Sequence, residues 1–243
     1  MPEKYFLSLD YRTGPDAVRA ANAATAFLRE TWPSAFNEHN VGVKINQDLM
    51  TGHVDAGLMR MPNVFADLKI SHGSDTGERI IDQVDSHFPD LRFVTVAASL
   101  GPEILGQYVR YAKTRGRHRG GVGVIAFTAH TKMPAEDVQR VFKAEDLNEA
   151  ILRLGQVAVD AGCDAIVLEA ERLKDQRIAK LPIKKLVTGI RIDPEDKGSQ
   201  SRVTSLDQLS EVLKDVDYVV VSSRYLEKPE ALRFYFTQLL RNQ

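Results

Sequence analysis

Two carboxylates and two amines stand at the ends of three short apolar runs early in the chain: Asp10, Lys44, and the pair in Asp67-Leu68-Lys69. Side chains two residues apart on an extended strand project to the same side, so the spacing of Asp67 and Lys69 directs a carboxylate and an ammonium into one site. Lys44, ending the preceding run, is placed to flank Asp67 from a neighbouring strand. Each carboxylate in such an alternation favours the protonated form of the lysines beside it. The fixed charges also distinguish a reactant from a more negatively charged transition state. A protonated lysine held in this way can deliver a proton to a carbanion. A lone Asp-x-Lys reads as an ordinary ion pair at the rim of a fold; Asp10 and Lys44 on the two preceding run ends are what give it a chemical reading.

These residues need a scaffold that brings successive strand ends together. Eight Val/Ile-rich runs are predicted as strands: Tyr5–Asp10, Val41–Asn46, Asn63–Lys69, Phe93–Ala98, Gly121–Thr128, Ala165–Glu169, Lys185–Ile190 and Tyr218–Ser222. Each is too short and too apolar for an exposed amphipathic helix. Helical spacing lies between them at Asp16–Thr31, Pro102–Thr114, Asn148–Ala161, Ser205–Lys214 and Pro229–Arg241, with a short helix in Met133–Leu147. Strands alternating with helices indicate a parallel sheet. Eight units in 243 residues fit a closed (β/α)8 TIM barrel, expected here as one domain over residues 1–243. An open doubly wound sheet shares the same local alternation. A barrel gathers its catalytic groups at the C-terminal strand ends and grips phosphate with its last loops, where the irregular stretch Asp193–Thr204 falls.

Bulk properties narrow the function further. With 43% hydrophobic residues the chain can bury a sizeable core. Its 32 basic and 33 acidic residues leave a formal net charge of -1, which provides no general attraction to nucleic acid or an anionic membrane. No apolar stretch approaches the roughly 20 residues of a membrane span, and MPEKYFLSLD lacks a signal-peptide pattern, so a soluble cytoplasmic protein is expected. The one cysteine, Cys163 in AGCDAIVL, reads as a small packed thiol. The histidines, among them His39, His53, His87 and His118, show no metal-ligand spacing, and no metal site is expected. Arg115-Gly-Arg-His-Arg119 reads as a solvated turn opposite the catalytic face, and the glycines of Gly120–Gly123 precede a strand where a dinucleotide fingerprint would follow one. Glu169 and Glu171 read as acids near the start of a helix.

Taken in order, LSLD (Leu7–Asp10), VKIN (Val43–Asn46), FADLK (Phe65–Lys69), VTGIR (Val187–Arg191), SQSR (Ser199–Arg202) and DYVVVSSR (Asp217–Arg224) resemble the orotidine 5'-phosphate decarboxylase family over nearly the whole chain. That resemblance implies a homodimeric barrel with active sites near the subunit interface, acting on a small-molecule nucleotide or sugar phosphate. It implies that Lys44, Asp67 and Lys69 form the catalytic array, Lys69 donating the proton, and that Asp10 contacts the ribose and orients Lys44. It implies no metal or organic cofactor. The family motif continues as Asp-x-Lys-x-x-Asp, its last acid lent to a neighbouring subunit; here His72 occupies that place and Asp75 lies three residues on, so both are candidates for the missing role. Thr188 also stands where the family has a proline before Gly-Ile-Arg.

For the phosphate, Gln200 and Arg202 match the family's Asp-Gln-x-Arg loop apart from Ser199, and Ser223 with Arg224 takes the place of its terminal Gly-Arg. A guanidinium there offers forked hydrogen bonds to phosphate oxygens. Thr128 and His130 fall in the segment that resembles the family's base-covering loop. The expected reaction is decarboxylation of orotidine 5'-phosphate to uridine 5'-phosphate in de novo pyrimidine biosynthesis. Two alternatives stay open: a metal-dependent sugar-phosphate decarboxylase or aldolase using Asp67, and a catalytically silent nucleotide-phosphate binding protein.

Overall fold

β-branched and aromatic residues favour the pleated, half-buried surface of a sheet, and the runs rich in them become strands in a computed structural model. It describes residues 2–37, 39–50, 54–116, 121–129, 133–192, 204–205 and 211–241. The strands are β1 (Lys4–Leu9), β2 (Val41–Asn46), β3 (Val64–Ile70), β4 (Leu91–Ala97), β5 (Gly123–Phe127), β6 (Ala165–Glu169), β7 (Lys184–Thr188), β8 (Ile190–Arg191), β9 (Thr204–Ser205) and β10 (Tyr218–Val221). β1 pairs in parallel with both β2 and β10, closing the ring β1-β10-β7-β6-β5-β4-β3-β2. The fold is therefore a (β/α)8 barrel, and the open-sheet alternative is excluded. The expected seventh strand is shorter than its apolar run, because Gly189 takes a left-handed φ of 77° and breaks it. Beyond that break Ile190 and Arg191 leave the barrel and pair with Thr204 and Ser205.

Eight helices are described: α1 (Gly14–Thr31), α2 (Ser74–His87), α3 (Pro102–Ala112), α4 (Ala135–Phe142), α5 (Leu147–Asp160), α6 (Gln176–Ala179), α7 (Ser223–Leu226) and α8 (Pro229–Arg241). Side-chain caps start α1 and α5, where Thr13 accepts from the Asp16 amide and Asp146 from the Glu149 amide. α4 stops where Lys143 turns left-handed. The middle of the helix expected over Ser205–Lys214 lies outside the described residues; Ser205 ends β9, Glu211 and Val212 are helical, and Leu213–Asp215 forms a 3-10 turn. α2 was not among the expected helices, although Gly77, Ile81 and Val84 carry its buried face at helical spacing. A side chain at Gly77 would place its Cβ 1.8 Å from the Tyr108 hydroxyl, so glycine lets α2 press against α3. That hydroxyl donates to the carbonyls of His72 and Gly73, 3.0 Å from each, and fixes the loop leaving β3.

Alternate residues of the strands fill the barrel. Phe6, Phe65, Phe93, Ile125, Leu186, Tyr218 and Val220 make a dry lower layer. Phe6 is central to it, its ring centroid lying 5.3 Å from Phe65, 6.0 Å from Phe93 and 6.3 Å from Tyr218. Such tilted and edge-on pairs add to the gain from burial. Room for the rings comes from Gly42 and Gly123; a Cβ at Gly123 would meet the Phe93 ring at 2.6 Å. The opposite strand faces pack on the helices, for example Tyr5 against Phe36 and Phe236. This apolar plug closes the barrel from below, so the polar groups above it open to one mouth. Phe6→Ala is expected to cost about 3–5 kcal/mol, the usual range for deleting a buried aromatic side chain. Urea unfolding monitored by circular dichroism reads the loss.

Candidate active site

Side chains one layer above the plug are polar. Ser8 follows Phe6 on the inner side of β1 and pairs in register with Lys44 of β2, while Asn46 pairs with Asp67 of β3. The ladder thus sets Asp10, Lys44 and Asp67 side by side around a quarter of the mouth. Lys44 Nζ lies 3.6 Å from Asp10 Oδ1 and 3.5 Å from Asp67 Oδ2, and Lys69 Nζ lies 2.9 Å from Asp67 Oδ2. Asn46 joins the first pair, accepting a hydrogen bond from Lys44 Nζ and donating one to Asp10 Oδ1. The Ser8 hydroxyl donates to Asp10 Oδ2 at 2.8 Å.

The Asp67–Lys69 pair meets, but strand alternation is not the reason. Ala66 pairs with Val94 and the next paired residue, Ile70, with Val96, so four steps on β3 run against two on β4. Asp67, Leu68 and Lys69 form a bulge, and Lys69 has a left-handed φ of 50°. For a residue with a Cβ that conformation costs about 1–2 kcal/mol. The Thr95 hydroxyl offsets part of it, accepting from the Lys69 amide at 2.7 Å while donating to Asp67 Oδ1 at 3.1 Å. Leu68 turns the other way, into a groove of about 490 Å³ that Met50, Ile80, Val84 and His72 also line.

Electrostatically the array is a buried ion pair flanked by an exposed ion of each sign: the Asp67 and Lys44 side chains are 15% and 10% exposed, those of Asp10 and Lys69 45% and 42%. Burial alone would raise the Asp67 carboxyl, but Lys44, Lys69 and the Thr95 hydroxyl outweigh it and hold the group below the usual carboxylate range. The Lys69 ammonium also sits 5.6 Å from the centre of the Phe127 ring. A carboxylate between two ammonium groups, with one ammonium facing the mouth, can hold an anion and give up a proton to it.

The other candidates from the sequence fall in different places. Ser223, at the start of α7, reaches Asp10 Oδ2 at 3.5 Å, and its carbonyl accepts from the Tyr11 hydroxyl at 3.3 Å. Burial pushes that phenol up to about 12. Arg224 is exposed and lines a cleft with Tyr11, Glu227 and Lys228. Thr128 is buried, and its hydroxyl donates to the Val167 carbonyl of β6 at 3.1 Å. His72 and Asp75 are exposed, and neither side chain enters the hydrogen bonds and ion pairs of the array described above. His130, Gln200 and Arg202 lie outside the described residues.

Several residues gained a place that the sequence reading did not assign. Ser8, Asn46 and Thr95 complete the hydrogen bonding of the array; the signal for the first two was their position two residues from Asp10 and Lys44 on the same strand face. Glu169 faces inward and is buried, paired with Arg172 at 2.9 Å, where a solvated acid was expected. Cys163 is partly buried and its thiol is pushed up to about 12 by burial, in keeping with a packed thiol. Among the described residues, no three His, Cys, Asp or Glu side chains are grouped to hold a metal ion. No described helix is long and apolar enough to cross a membrane.

Comparison with known proteins adds a family to this geometry. The family model for "Orotidine 5'-phosphate decarboxylase / HUMPS family" matches residues 6–230. An orotidine 5'-phosphate decarboxylase of Malacoplasma penetrans is 23% identical over 194 residues, 76% of this chain and 80% of the relative. The crystal structure of orotidine 5'-phosphate decarboxylase from Lactobacillus acidophilus superposes with a TM-score of 0.68 at 16% identity, covering 97% of this chain and 98% of that one. That of orotidine 5'-monophosphate decarboxylase from Methanocaldococcus jannaschii, complexed with inhibitor BMP, gives 0.67 at 16% identity over 98% and 99%. At such identities the structural likeness establishes the fold.

The depressed Asp67 carboxyl yields a test of the array. A group whose pKa is lower folded than unfolded stabilises the fold above its unfolded value, and that contribution disappears as pH falls through the folded value. Asp67→Asn, which leaves Lys44 and Lys69 without their shared anion, is expected to cost about 3 kcal/mol at pH 7. The gap between the two proteins should narrow below the ordinary carboxylate value of 3.8. Urea unfolding of both proteins at pH 7 and at successively lower pH checks the sign and the window.

Proposed function

The chain belongs to the orotidine 5'-phosphate decarboxylase / HUMPS family, and within that family we propose that it decarboxylates orotidine 5'-phosphate to uridine 5'-phosphate, the step that forms UMP in de novo pyrimidine biosynthesis. The observation that carries this reading is the unbroken line Asp10, Lys44, Asp67, Lys69 at the barrel mouth. In the proposed reaction the bond between the pyrimidine ring and its carboxylate breaks and carbon dioxide leaves. The electron pair stays on the ring carbon, and Lys69 Nζ delivers a proton to it, later recovering one from water. Lys44 and Lys69 stabilise the negative charge as it moves onto the ring. Asp67 lies between the two ammonium groups and offsets their mutual repulsion. Asp10, held by Ser8 and Asn46, receives a ribose hydroxyl.

Ser223 and Arg224, with Gln200 and Arg202, are assigned to the phosphate, and Thr128 and His130 to the base. Grip on the phosphate, remote from the reacting carbon, supplies energy for orienting the pyrimidine. A homodimer with active sites near its interface and a cytoplasmic location belong to the same proposal. A metal-dependent sugar-phosphate reaction fits less well, because both acids of the array are matched by ammonium groups or amides where a metal site would gather unpaired carboxylates. A second reading does have an observation behind it. His72 stands where the family has the acid lent to a neighbouring subunit, and a protein lacking that further carboxylate can bind a nucleotide phosphate without turning it over.

Loss of orotidine 5'-phosphate followed by ultraviolet absorbance, beside calorimetry with uridine 5'-phosphate, separates the readings. Turnover that survives chelation is expected from the wild type, and Lys69→Ala should lower kcat by about 10²–10⁴-fold, the range of a lost general acid, while still binding uridine 5'-phosphate. Tight binding with no wild-type turnover would establish the silent protein instead. His72→Asp, which restores the family's acid, is expected to raise kcat by about tenfold, equivalent to roughly 1.4 kcal/mol of barrel-mouth electrostatics; an unchanged or lower kcat would show that position 72 has no such role.

A further inference from the structure

Thr95 is a buried polar group at the array to which the proposed reaction assigns no step. It lies at mid-strand in β4, fully enclosed, two residues above the Phe93 of the apolar plug and so on the inner side of the barrel. A hydroxyl has one proton and two lone pairs. With its proton given to Asp67 Oδ1 at 3.1 Å, a lone pair remains for the Lys69 amide at 2.7 Å, and the two bonds form together. One oxygen thereby ties the carboxylate at one end of the three-residue bulge to the backbone at the other.

From this geometry we infer that Thr95 is a positioning residue for the Asp67–Lys69 pair: its hydroxyl holds the bulge open and sets the side-chain separation from which Lys69 donates its proton. The catalytic half of this inference rests on the decarboxylase reading. Its structural half does not. Without the hydroxyl, a part-buried amide N–H loses its acceptor, which is costly, and the left-handed Lys69 loses the bond that compensates its backbone. Relaxation of the bulge toward a regular ladder would re-aim its residues, because side chains change faces with each step along a strand. Valine has nearly the shape of threonine and neither donates nor accepts; serine keeps the hydroxyl. Packing and hydrogen bonding can therefore be separated at this one position.

Thr95→Val and Thr95→Ser are the variants to compare, with Thr95→Ala as the hydroxyl-free substitute if the valine form does not fold. Amide hydrogen exchange reads the bulge directly. In the hydroxyl-free variant the Lys69 amide should exchange at least about tenfold faster while the β1 amides keep their protection, the loss expected for one buried hydrogen bond. Steady-state decarboxylation should show kcat reduced at least about tenfold and KM held within about threefold, the pattern of a group that serves the transition state. Thr95→Ser should return both readouts to near the wild-type values. Unaltered Lys69 exchange in the hydroxyl-free variant overturns the inference, as does an unaltered kcat in an active enzyme. If the wild type has no decarboxylase activity, the functional reading falls by itself, and the exchange measurement alone decides whether Thr95 holds the pair.

Discussion

The carboxylate of Asp67, between the ammonium groups of Lys44 at 3.5 Å and Lys69 at 2.9 Å, is the interaction around which the barrel mouth is arranged. Three like-sized charges confined to a partly dry space are stable only if the odd one lies between the other two, since two unshielded ammonium groups would repel. Each partner then needs its own fixing. Lys44 is held on its far side through Asn46 and Asp10, and Asp10 in turn by Ser8 and Ser223. Lys69 is fixed through its backbone by Thr95. Substitution at the centre therefore disturbs four strand ends at once, whereas substitution at Asp10 or Ser223 disturbs the periphery.

Such a concentration of charge is costly to desolvate even though removing its central member is destabilising, and a left-handed lysine adds to the cost. Stability comes from beneath. The layer of Phe6, Phe65, Phe93 and Tyr218 is as apolar as the layer above it is charged, and the same strands supply both through their two-residue repeat. Phe6 and Ser8 are adjacent inward positions on β1, Phe93 and Thr95 on β4. The plug also excludes water from below, which lowers the local dielectric constant and strengthens every charge interaction at the mouth. Plug and site are thus two storeys of one structure: the lower provides the rigidity and dryness that the upper one uses.

How far this was legible in the sequence varied with the physics involved. Strands whose apolar runs are bounded by polar residues were placed to within two or three residues, because burial on a parallel sheet imposes a continuous Val/Ile composition. Asp10, Lys44, Asp67 and Lys69 were legible because strand ends in a barrel converge whatever the side chains are. The bulge was not. Strand alternation named the right pair from the wrong geometry, since nothing in Asp-Leu-Lys signals a left-handed backbone that depends on a hydroxyl from β4, 26 positions away. Asn46 and Ser8 were within reach of the same two-residue rule, but amides and hydroxyls are common at strand ends and acquire meaning only beside a charge. α2 escaped because its glycine, Gly77, looks like a helix breaker until Tyr108 of α3 is seen occupying the space of its missing side chain. Gly189 lies within a run that reads as strand because β-branched residues, Thr188 and Ile190, stand on both sides of it.

Within one chain, the formal charges of Asp10, Asp67, Lys44 and Lys69 cancel, and the line ends in an exposed ion of each sign, with Asp10 45% exposed at one end. The cation nearest the opening, Lys69, is 42% exposed, and the anion behind it 15%. An anion approaching at that end meets the Lys69 ammonium before the Asp67 carboxylate behind it, so it is the Lys69 end of the array that is arranged to bind negative charge. On the proposed function, a further carboxylate brought in from a neighbouring subunit would counter the ammonium at that end, pressing on a substrate's own carboxylate and relieving the pressure as carbon dioxide departs. That is the difference between binding a reactant and favouring its transition state. Position 72, where the resembled family motif has this carboxylate, is here a histidine on a loop that Tyr108 anchors through its backbone. Because Tyr108 contacts carbonyl oxygens, which every residue has, the loop holds its course whichever side chain position 72 carries. The backbone is fixed independently of the charge, so the electrostatics at position 72 can change through one side chain without rebuilding the barrel.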